Sequence, residues 1–336
     1  MSEVTTYGDI TARLAGLAWR DLLERITQML FLERTAEVRV LPTNSTKTII
    51  LRRFNTLSVS TVPLAEGRTP PARKITVTDI PVTVEQHGTI VRITDQVKDT
   101  HPDPVISEYS DILSQNMAET QETLNYNIVK AGTAVIYANN VATRADVQTV
   151  ITRGELRKAE RTLANNNAKK FNDILVGTTK IGTEPIAATY WAVTHPDLIN
   201  DLKNVTGFTE THEYASSMMG VMGEVGNAES FRFVTGTIYD SFADSGNATG
   251  AGTSFISTTG AVNDVYPIIC FGKRAWSTIP LKGANSGTII VLNPKPVPGD
   301  ELGQRGSISY KFYHAGVITQ DLWMQRIEVA ATLNPS

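Results

Sequence analysis

A single cysteine, Cys270, stands in 336 residues, so no disulfide can form within the chain and the composition suits a reducing compartment. No run approaches 18 consecutive apolar residues, which leaves no candidate for a hydrophobic spanning helix and predicts no membrane partner. Met1-Ser2-Glu3-Val4-Thr5-Thr6 has neither a basic region nor an apolar core, and reads as no secretory signal. Without that context the sequons at Asn44, Asn204 and Asn247 read as chance. Charge of one sign is also missing. With 31 basic and 34 acidic residues the net is −3, and the chain as a whole gives no sign of a nucleic-acid binder.

The signatures of catalysis are absent too. There is no Gly-x-Ser-x-Gly elbow and no Gly-x-x-x-x-Gly-Lys-Ser/Thr loop. Gly246, Gly250 and Gly252 follow no strong strand, so they make no dinucleotide fingerprint. His87, His101, His195, His212 and His314 are scattered, with no pair at a helical metal spacing. Cys270 lies in the apolar run Ile268-Ile269-Cys270-Phe271, and reads as a buried small hydrophobe rather than a nucleophile. His195 and Asp197 suit the start of a short helix. Phe231, Phe233, Tyr310, Phe312 and Tyr313 lack the basic residues of a base-stacking platform. No catalytic, cofactor or metal site is expected. A cytoplasmic hydrolase is the weaker reading from another class.

Periodicity supplies the elements. Residues 8–33 predict an amphipathic helix through Ile10, Leu14, Leu17, Leu22, Ile26 and Leu30, set apart as an N-terminal arm by Pro42-Thr43-Asn44-Ser45. An extended hairpin arm follows, from Thr48-Ile49-Ile50-Leu51 through a wide exposed turn, Pro63 to Pro71, to Ile75–Val84. The alternation on the return changes phase at Asp79-Ile80, where a bulge is predicted, and Pro81 marks an edge. Thr89–Ile93 adds another strand. Asp103-Pro104 then starts a helix predicted to run to about Ala138, with Gly132 a weak point rather than a stop. Thr152-Arg153-Gly154-Glu155 is a capping box before a helix that ends at Asn165-Asn166-Asn167. Buried strands are predicted at 190–193, 231–234, 265–271 and 288–292, a surface loop at 244–264, and returning strands at 307–314 and 327–330. The class is α+β.

Charge is unevenly distributed. Residues 47–98 carry eight basic and four acidic side chains, a net of +4, whereas residues 99–129 carry six acidic and no basic ones. One reading is two solvated faces. The other lays the basic arm of one copy, with Glu66, Arg68, Arg73 and Lys74, across the acidic helix of the next, with Glu108, Asp111, Glu119 and Glu122.

This order of parts resembles the major capsid proteins of tailed double-stranded DNA phages (Caudoviricetes) with the Hong Kong 97-type fold. More narrowly it resembles the family typified by coliphage N-four. The carrying segments are Pro63-Leu64-Ala65-Glu66-Gly67-Arg68-Thr69-Pro70, Asp103-Pro104, Thr194-His195-Pro196-Asp197, and Gly223-Glu224-Val225-Gly226 before Phe231-Arg232-Phe233. The resemblance implies an N-terminal arm at 1–45, an extended β-hairpin loop at 46–98, and a peripheral domain with a long spine helix at 99–150. It further implies a mixed α/β axial domain at 151–304 and C-terminal strands at 305–336 returning to the peripheral domain. The implied function is structural and non-catalytic. Copies self-assemble as hexamers and pentamers into an icosahedral head, with a portal and decoration or scaffolding proteins as partners. The shell encloses double-stranded DNA without reading its sequence, is assembled in the host cytoplasm and resides in the virion. An encapsulin-like compartment shell is the alternative in the same architecture.

Overall fold

The computed structural model describes residues 31–44, 46–63, 66–100, 105–171, 188–214, 223–248, 255–281, 288–296 and 298–333. The chain begins there with α1 (Leu32–Thr35) and β1 (Glu37–Val38), then the hairpin strands β2 (Thr48–Phe54) and β3 (Val77–Thr83). Next come β4 (Glu85–Thr94), α2 (Asp95–Thr100), the long helix α3 (Val105–Lys130), β5 (Val135–Tyr137) and α4 (Arg153–Asn165). The central stretch holds β6 (Tyr190–Thr194), α5 (Ile199–Lys203), β7 (Thr209–Glu210), β8 (Glu224–Ala228) and β9 (Phe231–Thr235). After these run β10 (Tyr266–Phe271), β11 (Trp276–Thr278), β12 (Thr288–Leu292), β13 (Arg305–His314), β14 (Gly316–Ile318) and β15 (Met324–Val329). The class is α+β, as the sequence predicts.

Seven strands form the largest sheet, in the order β5-β15-β10-β6-β9-β8-β7. Its centre, β6 and β10, is buried along its whole length, as unbroken apolar runs require when both faces are covered. Alternate side chains feed two cores. Ala192, Ile268, Cys270 and Ile327 meet Leu156, Ala159 and Leu163 of α4, while Trp191, Val193, Ile269 and Phe271 share the opposite core with Tyr126 and Val129 of α3. The predicted capping box closes α4: Thr152 N donates to Glu155 Oε2 at 3.0 Å.

A second sheet, β12-β13-β4, takes the other half of α3. Ile308, Tyr310 and Phe312 alternate inward along β13 onto Leu113, with Tyr109 and Met117 beside them, and Tyr310 Oη donates to Asn116 Oδ1 at 2.6 Å. Over about 39 Å, α3 therefore joins both sheets, its first half on the small one and its end on the large one.

Four expectations need correction. The long helix stops at Lys130, not near Ala138, and Val135 belongs to β5; Asp103 and Pro104 lie outside the described residues. The stop is imposed from far along the chain. The Arg326 guanidinium on β15 donates to the carbonyls of Lys130 and Gly132 (3.1 Å to the latter), a cation on the negative end of the helix. Second, β2 and β3 pair without a break from Thr48↔Thr83 to Phe54↔Val77, so no bulge occurs at Asp79-Ile80. Ile80 and Val82 face the chain's own core, and Ile75 and Val77 stay in water. Third, β12 is an edge strand, with Val291 and Leu292 exposed rather than buried. Fourth, the C-terminal strands part company: β13 packs on α3, but β15 lies inside the large sheet. Most of the predicted helix at 8–33 lies outside the described residues; Phe31 and Leu32 dock on their own chain.

His314, at the end of β13, is 4% exposed and its Nε2 has no hydrogen-bond partner. Burial, with His87 a smaller cause, pulls its pKa down to about 4. Glu85 stands opposite it in the strand register. The folded chain thus takes up this proton at a lower pH than the unfolded chain. The stability is fully present above the unfolded value near 6.5 and is lost as pH falls toward 4, by up to about 3 kcal/mol. A series of urea melts should show this limb, and His314→Gln should flatten it; equal slopes in both proteins would refute the assignment.

Candidate functional site

The hairpin base is anchored and its tip is not. Ile49, Leu51, Ile80 and Val82 pack with Leu41, Val84, Ile279 and Ala315. Arg53 Nη1 donates to the Thr319 carbonyl at 3.1 Å and to Gln320 Oε1, tying β2 to the turn before β15. Arg52 and Asp79 form a bidentate pair at 2.8 and 2.9 Å across the strands, and that hydrogen bond lowers the Asp79 pKa. Beyond it Asn55 N donates to the Thr76 carbonyl, also at 3.0 Å. The turn then runs through residues 55–63 and 66–76, exposed throughout.

Apolar side chains line this turn. Val59 and Val62 are 85% and 76% exposed, and Phe54, Leu57, Ile75 and Val77 also face water. A scattered surface leucine needs no explanation, but a run of apolar residues on an anchored projecting loop marks an interaction site. Composition hid this set, because the same stretch carries the basic charge that drew attention first.

The charged candidates divide. Glu66, Arg68 and Lys74 are exposed on the turn, whereas Arg73 Nη1 donates to the Ser58 carbonyl at 2.7 Å and braces the loop itself. On α3, Asp111 is exposed, Glu108 is half-buried, and Glu119 accepts from Gln115 Nε2 at 2.8 Å. Glu122 does not belong to a surface. It is 2% exposed, and its Oε1 accepts from Phe31 N at 2.8 Å, Leu32 N at 2.7 Å and Tyr239 Oη at 2.9 Å. The reason was present in the spacing: Glu122 stands four and seven residues before the buried Tyr126 and Val129, on the core-facing side of the helix.

Glu122 therefore fastens the start of α1 to α3. With Glu122→Ala, three charge-assisted hydrogen bonds disappear, and a loss of about 3 kcal/mol is expected. Hydrogen exchange at the Phe31 and Leu32 amides reads this directly. Unchanged protection there would show that packing alone holds the segment.

Among the described residues no cluster of three or more His, Cys, Asp or Glu is placed to hold a metal. Cys270 is buried and burial pushes its thiol pKa up, away from a nucleophile's. His195 serves as a helix cap, with Nδ1 accepting from Asp197 N at 3.3 Å.

An anchored body with a projecting, apolar-lined loop and a long bridging helix is the form of a subunit built to assemble. Comparison with known proteins makes this specific. The phage capsid protein family matches residues 77–321, more than half of the chain, and the chain belongs to that family. It is 22% identical over 228 residues to a major capsid protein of Pseudomonas phage KPP21; the match covers 64% of this chain and 57% of the relative. Among solved structures, the capsid of Ralstonia phage GP4 is similar at a TM-score of 0.69 and 12% identity, with all of both chains covered. The capsid of cyanophage P-SCSP1u is similar at 0.63 and 14% identity, covering 95% of this chain and 94% of that one.

Proposed function

We propose that this chain is the major capsid protein of a tailed phage, with the Hong Kong 97-type fold and an affinity to the coliphage N-four group. Its copies assemble as hexamers and pentamers into the icosahedral head that encloses double-stranded DNA. The observation that carries this reading, beside family membership, is the apolar-lined turn at residues 55–76 on an anchored hairpin. Residues 46–98 would reach over a neighbouring subunit. Residues 99–150 with the strand at 305–314 would form the peripheral domain, and 151–304 joined by the strand at 324–329 the axial one; residues 1–45 would be the N-terminal arm. A portal and decoration or scaffolding proteins would complete the head. Assembly would take place in the host cytoplasm and the product would reside in the virion.

Negative-stain microscopy of the purified chain tests the reading. Closed shells, or free hexamers and pentamers, are expected; a stable monomer under every assembly condition would sink it. Within the interface, Arg68 and Lys74 of one copy would face Asp111, Glu108 and Glu119 of the next. Reversing Arg68, Arg73 and Lys74 to Glu should block assembly and leave the monomer folded, since all three are exposed. Normal assembly of that variant across a salt titration would remove the charge pairing from the account.

A further inference from the structure

The face of the small sheet turned away from α3 carries a groove of about 460 Å³. Ser307 and Ser309 of the middle strand lie between Ile290 and Leu292 on one side and Ile90 and Arg92 on the other. Small side chains between larger ones make the floor. Ile90 and Leu292 are 56% and 60% exposed there, and Arg92, Lys295 and Arg305 supply positive charge around them. One acid lines the groove, Asp300, and its carboxylate accepts from the backbone N–H groups of Gln304 at 3.1 Å and Arg305 at 2.9 Å. The groove is thus apolar within and cationic at its edges. It is too small for a DNA duplex and suits an extended peptide bearing both acidic and apolar side chains.

The chain carries such a segment outside the described residues. Residues 1–12 contain Glu3 and Asp9 with Val4, Tyr7 and Ile10, and the first basic residue is Arg13. Their tether is fixed, because Glu122 on α3 holds Phe31 and Leu32. From Glu122 back to Glu108, the level of the small sheet, is about 21 Å at the helical rise, while residues 13–30 span about 27 Å even as a helix. A tethered segment within reach experiences an effective concentration of about a millimolar, which favours it over a free competitor.

We propose that residues 1–12 lie in this groove on their own subunit, their carboxylates among Arg92, Lys295 and Arg305 and their apolar side chains over Ile90 and Leu292. The test uses the full chain with Tyr7 replaced by the photo-crosslinking residue p-benzoylphenylalanine, irradiated as an equal mixture of isotope-labelled and unlabelled copies. Cross-links are expected within single copies, to residues 90–92, 290–295 or 305–309. Arg92→Glu with Arg305→Glu should lower their yield by about tenfold, as should high salt. Ser307→Trp, which fills the groove and keeps its charge, should lower the yield as well, with circular dichroism verifying the fold of each variant. Cross-links elsewhere on the chain would overturn the proposal. So would cross-links joining labelled to unlabelled copies, which would make a second copy the occupant, or an unchanged yield in both variants. Shells seen by microscopy without these cross-links would leave the capsid reading intact and remove only this one.

Discussion

Replacing Glu328 with alanine is expected to cost about 3–5 kcal/mol, the range for a buried charge pair deprived of one partner. The Glu328 side chain is fully buried on β15. Its carboxylate accepts from Arg144 at 2.7 and 2.8 Å and from Arg326 Nε at 2.7 Å. Around it, Arg144 lies 3.5 Å from the centre of the Phe242 ring and Lys130 lies 4.1 Å away, so several cations crowd one face of the core with Glu328 as their anion. Burial lowers the Lys130 pKa, with Asp240 opposing. Without the carboxylate, Arg326 keeps a mostly buried guanidinium with no counter-charge, and the same group holds the last carbonyls of α3. The loss should therefore appear both in urea denaturation and as faster hydrogen exchange over the final turn of α3. Arg144→Ala should cost less, about 1–2 kcal/mol, because Arg144 is more exposed and Glu328 keeps Arg326. If Glu328→Ala melts within 1 kcal/mol of the parent, the pair does not hold helix to sheet.

That junction marks the limit of what local sequence could tell. The central strands were legible because Tyr190–Thr194 and Tyr266–Phe271 are unbroken apolar runs, which only a sheet covered on both faces can accommodate. The start of α4 was legible because Thr152 and Glu155 complete each other three residues apart. The end of α3 was not, since the group that stops it, Arg326, lies nearly two hundred residues onward. The hairpin shows a different limit. Its pairing followed from two β-rich segments, but the change of phase near Asp79 has two physical solutions. A bulge would bury both apolar sets; a regular strand leaves one of them in water. The chain takes the second, and the choice is intelligible only if another surface covers Ile75 and Val77. At the candidate site, charge was visible in composition but its placement was not, so Glu122 and Arg73 fell into an interface while each is committed within its own chain.

Apolar contact should therefore outweigh charge at the subunit interface. Changing Val59 and Val62 together to Asp is expected to abolish assembly and leave the monomer's stability within about 0.5 kcal/mol, as for ordinary surface substitutions. Both side chains are almost free in the isolated chain, so folding loses little by the change. Burial of a valine against a neighbour contributes about 1.5–3 kcal/mol. Two of them at about 1.4 kcal/mol per tenfold in affinity weaken each contact by roughly 10² to 10⁴. Exposed ion pairs contribute about 0–1 kcal/mol each, and salt screens them. The two kinds of variant should then separate: the Arg68, Arg73, Lys74 reversal gains back some assembly at high salt, while the Val59, Val62 double variant gains none. Sedimentation across a salt series distinguishes them. Recovery of the valine variant in high salt would mean that the added aspartates repel an acidic neighbour and that hydrophobic burial at the turn is not what joins the subunits.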